Sequence, residues 1–302
     1  MNTRADVVDG FVRRAGRVGV WVPPMVVDAS PAAVIAGEVG RIEALDYGSL
    51  WTGERLVGGE AFARHGQFLA NSSRLVVGTG IANLWARVPE AMRGGATTLA
   101  SAYPDRFVLG VGVSAPVVVD RLGETFDRPL SRMRDYLTRM DEVEGPPDAQ
   151  YPRVLAALGP KMLALAAELA DGAHPFLVPV EHTAFARAEL GPGKLLIPEQ
   201  AVVLTEDPAA GRDLICGIYG SLTDFSKPSP YVANFRRLGF GPDDAGSDRL
   251  LDALFVYGGP DAIAARVREH LDAGADHVLI QPIAHDLTGI VDQLAELRSA
   301  LP

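Results

Sequence analysis

Short runs of apolar, mostly β-branched residues alternate along the chain with longer stretches whose apolar positions recur every three or four residues. The short runs are typical of buried strands and the longer stretches of amphipathic helices, so the alternation predicts βα units around a parallel sheet. Eight strands are predicted, the number in a closed (β/α)8 barrel. They are Arg17–Val22, Tyr47–Thr52, Leu75–Gly80, Phe107–Val111, Val154–Leu158, His174–Val178, Val202–Leu204 and His277–Gln281.

Nine helices are predicted around these strands. Several begin at or near a proline, whose missing N–H costs nothing in the first helical turn. The predicted helices are Pro31–Leu45, Glu60–Ala70, Pro89–Ala102, Val117–Met140, Pro160–Ala170, His182–Leu190, Pro208–Leu222, Pro260–Ala273 and Leu287–Ala300.

Two segments interrupt the alternation. Glu144–Gln150 is too proline-rich for a helix or strand and is predicted to join the fourth helix to the fifth strand. Each side of it alone would be half a barrel, so we expect residues 1–302 to form a single domain. Ser226–Asp248 is predicted to be a helical insertion near the C-terminal part, covering the barrel mouth.

Composition narrows the functional classes. The 48% of hydrophobic residues can bury a full core, and the formal net charge of −10 opposes binding to nucleic acid or anionic membranes. The single cysteine, Cys216, cannot form an intramolecular disulfide or a cysteine-rich metal site. Residues 1–16 contain no apolar run typical of a signal peptide, and no window is long enough for a membrane span. We therefore expect a soluble cytoplasmic protein without a bound metal.

Common catalytic and nucleotide-binding motifs are absent from the sequence. No GxGxxG stands at a strand-to-helix turn, and GxxxxGK[ST], HExxH, CxxC and GxSxG do not occur. This disfavours Rossmann and P-loop nucleotide binding, zinc hydrolysis and serine hydrolysis. In a barrel, functional residues are then expected at the C-terminal ends of the strands.

The segment Val76–Ser114, VVGTGIANLWARVPEAMRGGATTLASAYPDRFVLGVGVS, resembles a signature of the bacterial-luciferase-like superfamily that joins the third strand to the end of the fourth. The resemblance implies a (β/α)8-barrel oxidoreductase that uses a flavin or deazaflavin. In the deazaflavin branch, a bulge with a non-proline cis peptide backs the central ring of the cofactor. The resemblance places that bulge at Gly80–Ile81, puts Asn83 within hydrogen-bonding reach of the ring, and adds Gly112 at the end of the fourth strand.

A second match covers Val154–Val178. The turn formed by Gly159, Pro160, Lys161 and Met162 opens a predicted helix, where backbone N–H groups and the helix dipole favour a phosphate. A Gly-Pro helix start is also common as simple capping. In the family this turn holds the cofactor phosphate, and the resemblance places His174 and Pro175 beside the cofactor tail.

The sequence departs from the family after the second strand. Glu54 matches an acidic residue that faces the cofactor in relatives, and with Asn83 it is a candidate catalytic residue; a solvated loop acid is the alternative. Arg55 stands where relatives carry histidine, and Ala115 where sugar-phosphate dehydrogenases carry glutamate. Oxidation of sugar phosphates is therefore disfavoured.

The resemblance thus implies hydride transfer between coenzyme F420 and a small-molecule substrate, in a homodimer. An Ala-, Gly-, Arg- and Val-rich composition, typical of high-GC actinobacteria, and the Gly80–Ile81–Asn83 pattern favour F420 over FMN. Two alternatives remain open: an FMN-dependent two-component monooxygenase, and a non-catalytic barrel that binds a flavin or deazaflavin.

Overall fold

The computed structural model describes residues 4–56, 58–143, 149–227 and 229–302. These residues contain eleven parallel strands: β1 Val18–Val22, β2 Ser49–Thr52, β3 Val76–Thr79, β4 Ala82–Asn83, β5 Phe107–Gly112, β6 Arg153–Leu155, β7 Gly172–Ala173, β8 Leu195–Leu196, β9 Glu199–Leu204, β10 Val256–Gly258 and β11 Val278–Pro282.

The same residues form fourteen α-helices. They are α1 Arg4–Ala15, α2 Pro24–Ala29, α3 Ala32–Ala44, α4 Ala61–Ala70, α5 Pro89–Ala102, α6 Pro116–Val119, α7 Pro129–Glu142, α8 Pro160–Leu169, α9 Val180–Leu190, α10 Pro208–Tyr219, α11 Pro230–Arg237, α12 Asp248–Leu254, α13 Pro260–Asp272 and α14 Leu287–Leu297. None of the described helices is both long and apolar enough to cross a membrane.

The sheet closes into a ring through one segment, 195–204. Its first part, β8, pairs with β7, and its second part, β9, pairs with β11. In one direction from β5, the row of paired residues is Phe107, Val77, Leu50, Val20, Ile280 and Gln200. In the other direction, starting three residues later on β5, it is Gly110, Val154, Gly172 and Leu195. One full turn therefore offsets the register by eight residues, the shear of a (β/α)8 barrel, and the predicted fold class is confirmed.

Large indole rings fill the inside of the barrel next to glycines of the third strand. A methyl group added at Gly78 would lie 2.3 Å from the indole of Trp51. One added at Gly80 would lie 2.7 Å from Nε1 of Trp21. Both tryptophans are buried. The small residues of the GTG sequence are therefore what allow two indoles to lie against this strand.

A satisfied hydrogen-bond chain forms the N-terminal floor of the barrel beneath α1. His277 Nδ1 lies 2.9 Å from the Gly16 carbonyl oxygen, so Nδ1 carries the hydrogen and Nε2 accepts from the Ser49 hydroxyl at 2.7 Å. Ser49 in turn accepts from Trp51 Nε1 at 3.0 Å. Burial lowers the pKa of His277 to about 4. Because every member is paired and neutral, this Ser–His pair is part of the core.

A second hydrophobic core lies over the opposite end of the barrel. It joins inward-facing residues of β9, such as Ala201 and Val203, to apolar side chains of α10, α11 and α12. Phe176, which follows β7, packs both on Trp21 inside the barrel, with ring centroids 5.0 Å apart, and on Tyr231 of α11, at 6.4 Å. The helical segment predicted after the seventh helix is therefore helical and packs over the mouth.

Several predicted elements were wrong. The strand predicted at His174–Val178 ends at Ala173 because Pro175 and Pro179 lack N–H donors and Leu177 has a left-handed backbone, with φ of 56°. The helix predicted at Val117–Met140 is split into α6 and α7, since Gly123 is left-handed and Pro129 starts a new helix. The strand predicted at Val202–Leu204 begins at Glu199, because polar residues that the sequence pattern excluded are buried there.

Other elements had not been predicted from the sequence. These are α1, α2, α6, α11 and α12 as separate helices, and the short strands β4, β8 and β10. The predicted connection Glu144–Gln150 lies largely outside the described residues, which resume at residue 149.

We expect Gly78→Ala to lower the free energy of unfolding by about 1–3 kcal/mol, because its methyl group would overlap the Trp51 indole. Gly94→Ala on α5 is the matched control: a methyl there meets nothing within 4 Å, and alanine should stabilise the helix by about 0.5–1 kcal/mol. Denaturant unfolding of both variants measures the difference. Equal changes in the free energy of unfolding for the two variants would show that packing of the Trp51 indole does not require glycine at position 78.

Candidate functional site

The chain between β3 and β4 lies at the C-terminal end of the barrel and contains a cis peptide bond at Gly80–Ile81, as predicted. Gly80 N–H donates to the Thr52 carbonyl at 2.8 Å, and the Ile81 carbonyl accepts from Glu54 N–H at 3.1 Å. The Ile81 side chain lies over Gly112, where an added methyl would approach it to 2.5 Å. The segment is therefore held by strand two on one side and β5 on the other.

Glu54 holds this segment in place. Its carboxylate accepts from the backbone N–H of Asn83 at 2.8 Å and of Ala61 at 3.3 Å, and both carboxylate oxygens bind the guanidinium of Arg87. The side chains of Glu54 and Arg87 are only 4% and 10% exposed. The structure thus places Glu54 in a buried ion pair, and not as a solvated loop acid.

Asn83 is also buried, and its side-chain oxygen accepts from Trp85 N–H at 3.0 Å. No hydrogen bond between described residues uses its side-chain nitrogen, Nδ2. The amide therefore caps the turn after β4 through its oxygen. Arg55, at the position where the resemblance leads us to expect histidine, pairs with Asp28 at 3.6 Å.

His174 reaches toward Gly80 from the end of β7. Its Nδ1 lies 2.7 Å from the Ile197 carbonyl oxygen, so Nδ1 carries the hydrogen and Nε2 is an acceptor. Nε2 is buried without a partner among the described residues, 3.1 Å from where a methyl group on Gly80 would be. Burial lowers the pKa of His174 to about 4. His174 is therefore a neutral imidazole with an unused acceptor on the inner face of the barrel.

The turn at the start of α8 offers fewer backbone donors than the sequence suggested. Pro160 has no N–H, and Met162 N–H donates to the Gly159 carbonyl at 3.1 Å. The Lys161 side chain is exposed. Arg237 of α11 adds a second cation: its guanidinium lies 3.6 Å from the methyl position of Gly159 and donates to the Leu158 carbonyl at 3.1 Å. The turn thus combines two cations with a helix N-terminus.

Three residues that sequence reasoning missed belong to this end of the barrel. Arg87 lies in the quoted RVP motif, which could have identified it as the partner of an acid. Arg237 gave no signal, because its place over Gly159 depends on the packing of α11. Glu199 gave none either, because an acidic residue at a strand start is ordinarily exposed. No group of three or more metal-ligating side chains occurs in the part of the chain that the structure describes.

A closed (β/α)8 barrel with convergent polar groups at the C-terminal ends of its strands is the architecture of a barrel enzyme. A model of the luciferase-like monooxygenase family matches residues 17–192, more than half of the chain. The chain belongs to this family, and the family membership predicted from Val76–Ser114 and Val154–Val178 is confirmed.

Two curated relatives are similar over long segments. A Mycobacterium tuberculosis protein named as a coenzyme F420-dependent oxidoreductase is 30% identical over 190 residues, which cover 52% of this chain and 53% of the relative. The match therefore spans about half of that relative's length. A 5,10-methylenetetrahydromethanopterin reductase of Archaeoglobus fulgidus is 25% identical over 267 residues, covering 72% of this chain and 80% of the relative.

Solved structures share the fold over nearly the whole chain. The coenzyme F420-dependent tetrahydromethanopterin reductase of Methanopyrus kandleri superposes with a TM-score of 0.74 at 17% identity, covering 95% of this chain and 99% of that one. A type II Baeyer–Villiger monooxygenase of Pseudomonas putida, in complex with FMN, gives 0.66 at 14%, with coverages of 94% and 96%. At these identities the likeness shows the fold.

We expect Arg87→Met to lower the free energy of unfolding by about 3 kcal/mol, because it leaves the Glu54 carboxylate buried and unpaired. Arg134→Met is the matched control, since the Arg134–Glu168 pair is about half exposed and screened by water, so its loss should change the free energy of unfolding little. Denaturant titration checks both. Adding Glu54→Gln to Arg87→Met should restore part of the loss, and no recovery would contradict this account.

Proposed function

We propose that the protein is an F420-dependent oxidoreductase that transfers a hydride between the deazaflavin and a small organic substrate. One observation carries the proposal: the C-terminal end of the barrel brings together the Gly80–Ile81 wall, the unpartnered acceptor of His174 and the cations Lys161 and Arg237. This combination suits a flat ring with N–H groups and an anionic tail. The names of the mycobacterial and archaeal relatives support the same cofactor.

The residues of this end fit the roles that such a cofactor requires. Gly80–Ile81 would back the ring, with Gly112 supporting the Ile81 side chain, and Asn83 Nδ2 would bind its edge. His174 and Pro175 would border the ring and tail, and Gly159–Met162 would hold the phosphate. The bound deazaflavin supplies the hydride chemistry, while the protein supplies binding and orientation. Because Arg87 occupies both oxygens of Glu54, we assign Glu54 to positioning Asn83.

Two alternatives rest on specific observations. The FMN-containing monooxygenase shares the fold, so reduced FMN with O₂ is the competing chemistry. Arg55 and Ala115, together with the ion pair that occupies Glu54, favour a non-catalytic flavin- or deazaflavin-binding barrel. We also propose that the chain acts as a cytoplasmic homodimer on a small molecule, without nucleic acid or membrane partners. In this proposal residues 1–302 form one domain, with an insertion at about 226–248.

We expect the purified protein to bind F420 more tightly than FMN, because the phosphate turn and the Gly80–Ile81 wall suit the deazaflavin and its acidic tail. Parallel fluorescence titrations with the two cofactors measure this difference. FMN affinity equal to or above that of F420 would favour the monooxygenase. If reduced F420 binds with a spectral change but is not oxidised by any of a panel of enones, the non-catalytic barrel is favoured.

The cationic turn gives a second test. We expect Lys161→Ala and Arg237→Ala each to weaken F420 binding by about 1–2 kcal/mol at low salt, because each removes a charge-assisted contact with the phosphate. The loss should shrink at higher salt, since both side chains are exposed. Arg128→Ala, at a residue whose side chain is 82% exposed beside α7, is the control and should bind normally. Unchanged affinity in both turn variants would place the phosphate elsewhere.

A further inference from the structure

Glu199 and Gln281 form a polar patch on the inner wall of the barrel. Glu199 pairs in register with Leu279, which packs in the barrel interior, and Gln281 lies two residues further along the same strand. Side chains alternate across a strand, so all three point inward. Glu199 is 1% exposed and Gln281 is fully buried.

Two acceptor atoms of this patch have no hydrogen-bond donor. Glu199 Oε2 accepts from Leu177 N–H at 3.2 Å, but Oε1 has no partner among the described residues. Gln281 Nε2 donates to the Tyr219 hydroxyl, while Gln281 Oε1 has no partner either. Buried acceptors are nearly always satisfied because leaving one unpaired is costly. Either a proton on the carboxyl or a bound molecule is needed to supply the missing donor.

The surroundings keep the carboxyl neutral. Burial raises the pKa of Glu199 to about 8, and among the described residues the only opposing influence is the hydrogen bond from the Leu177 N–H. The titratable side chains that face it are Tyr219 from α10 and Tyr231 from α11, and burial raises the pKa of both phenols, that of Tyr231 to about 12. Gln281 of β11 carries no charge. At pH 7 the carboxyl therefore keeps its proton and can act as a hydrogen-bond donor.

The barrel geometry places this donor opposite the proposed ring site. A full turn offsets the register by eight residues, so half a turn, from β3 to β9, offsets it by four. Glu199 is therefore about level with Gly80, on the facing wall. The neighbouring Leu177 is a bulky residue with φ of 56°, a strained conformation that is more frequent at functional sites. Tyr231 is half-buried, so the patch lies beneath a side chain that solvent reaches.

We propose that Glu199 is a substrate-binding residue whose carboxyl O–H donates a hydrogen bond to an uncharged oxygen, a carbonyl or hydroxyl, held between Gly80 and β9. The inference rests on the proposed function, because it places the substrate on the side of the ring away from Gly80–Ile81. Gln281 lies beside the bound oxygen and offers an acceptor to a hydroxyl. The site disfavours anionic ligands. The Glu199 carboxyl has no cationic partner among the described residues, so nothing would offset the repulsion if it ionised beside an anion.

The test compares Glu199→Gln, which keeps a donor but cannot ionise, with Glu199→Leu, which has none; Glu206→Gln, on the exposed loop after β9, is the control. Infrared spectra of the full chain should show a protonated-carboxyl band that titrates near pH 8. The band should be absent from Glu199→Gln and Glu199→Leu and present in Glu206→Gln. Calorimetry with 2-cyclohexen-1-one, with and without F420, measures binding of an uncharged carbonyl; 1-methylcyclohexene lacks the oxygen.

We expect wild-type protein to bind the enone roughly five- to tenfold more weakly at pH 9 than at pH 6.5, as the donor ionises. Glu199→Gln should bind equally at both pH values, and Glu199→Leu should bind weakly at both. Folding stability should fall as pH rises from about 4.5 to about 8, because only the folded chain keeps the proton, and Glu199→Gln should lack this change.

Three results would overturn the inference. The first is a Glu199 carboxyl that titrates near its ordinary pKa, and the second is enone binding that Glu199→Leu leaves intact. The third is a protonated carboxyl without enone binding, which would mean that the patch holds only internal water. Failure to bind F420 would instead defeat the proposed function. The pH dependence of enone binding is measured without cofactor, so it does not depend on whether the protein binds F420.

Discussion

Closure of the sheet is the constraint on which the rest of the structure depends. The segment 195–204 changes its partner from β7 to β11 within ten residues, and this joins the two ends of the sheet at a shear of eight. In a closed parallel barrel all strands end on the same side, so loops far apart in sequence meet there. Gly80, Gly159 and His174 follow three different strands, and Glu199 lies on the inner face of a fourth; closure brings these four residues to one end of the barrel.

The interior of this barrel is largely apolar, and the polar side chains buried in it are mostly uncharged. The low dielectric of a closed core disfavours ionised groups unless they are paired. His174 and His277 are accordingly neutral, and burial keeps the proton on Glu199. The buried charges near the mouth are those of Glu54 and Arg87, which neutralise each other. Among the described residues, the mouth therefore presents neutral donors and acceptors inside, and the cations Lys161 and Arg237 lie at its rim.

This distribution of charge bears on the cofactor that we propose for the barrel mouth. A planar cofactor with an anionic tail matches a neutral interior and a cationic rim. At the two positions where the resemblance leads us to expect histidine and glutamate, this chain has Arg55 and Ala115, and Arg55 pairs with Asp28 at 3.6 Å. An acid on the opposite wall, Glu199, offers an uncharged donor from a different strand. In the function that we propose, one wall of the barrel mouth holds the cofactor and Glu199 on the facing wall meets the substrate.

The sequence by itself determined the eight-strand alternation, most helix bounds, the family and the position of the Gly80–Ile81 bulge, because these depend on local periodicity and on motifs of adjacent residues. It placed the start of β9 too late, because polar residues are buried there. It also predicted a strand at His174–Val178, where prolines interrupt an apolar run. Only the tertiary structure decided the partners: Arg87 for Glu54, Arg237 over Gly159, and Glu199 facing Gly80. The residues of these three pairs are 33, 78 and 119 positions apart in the sequence. Register around the closed ring and the packing of α11 set them, and neither leaves a signature in the residues nearby.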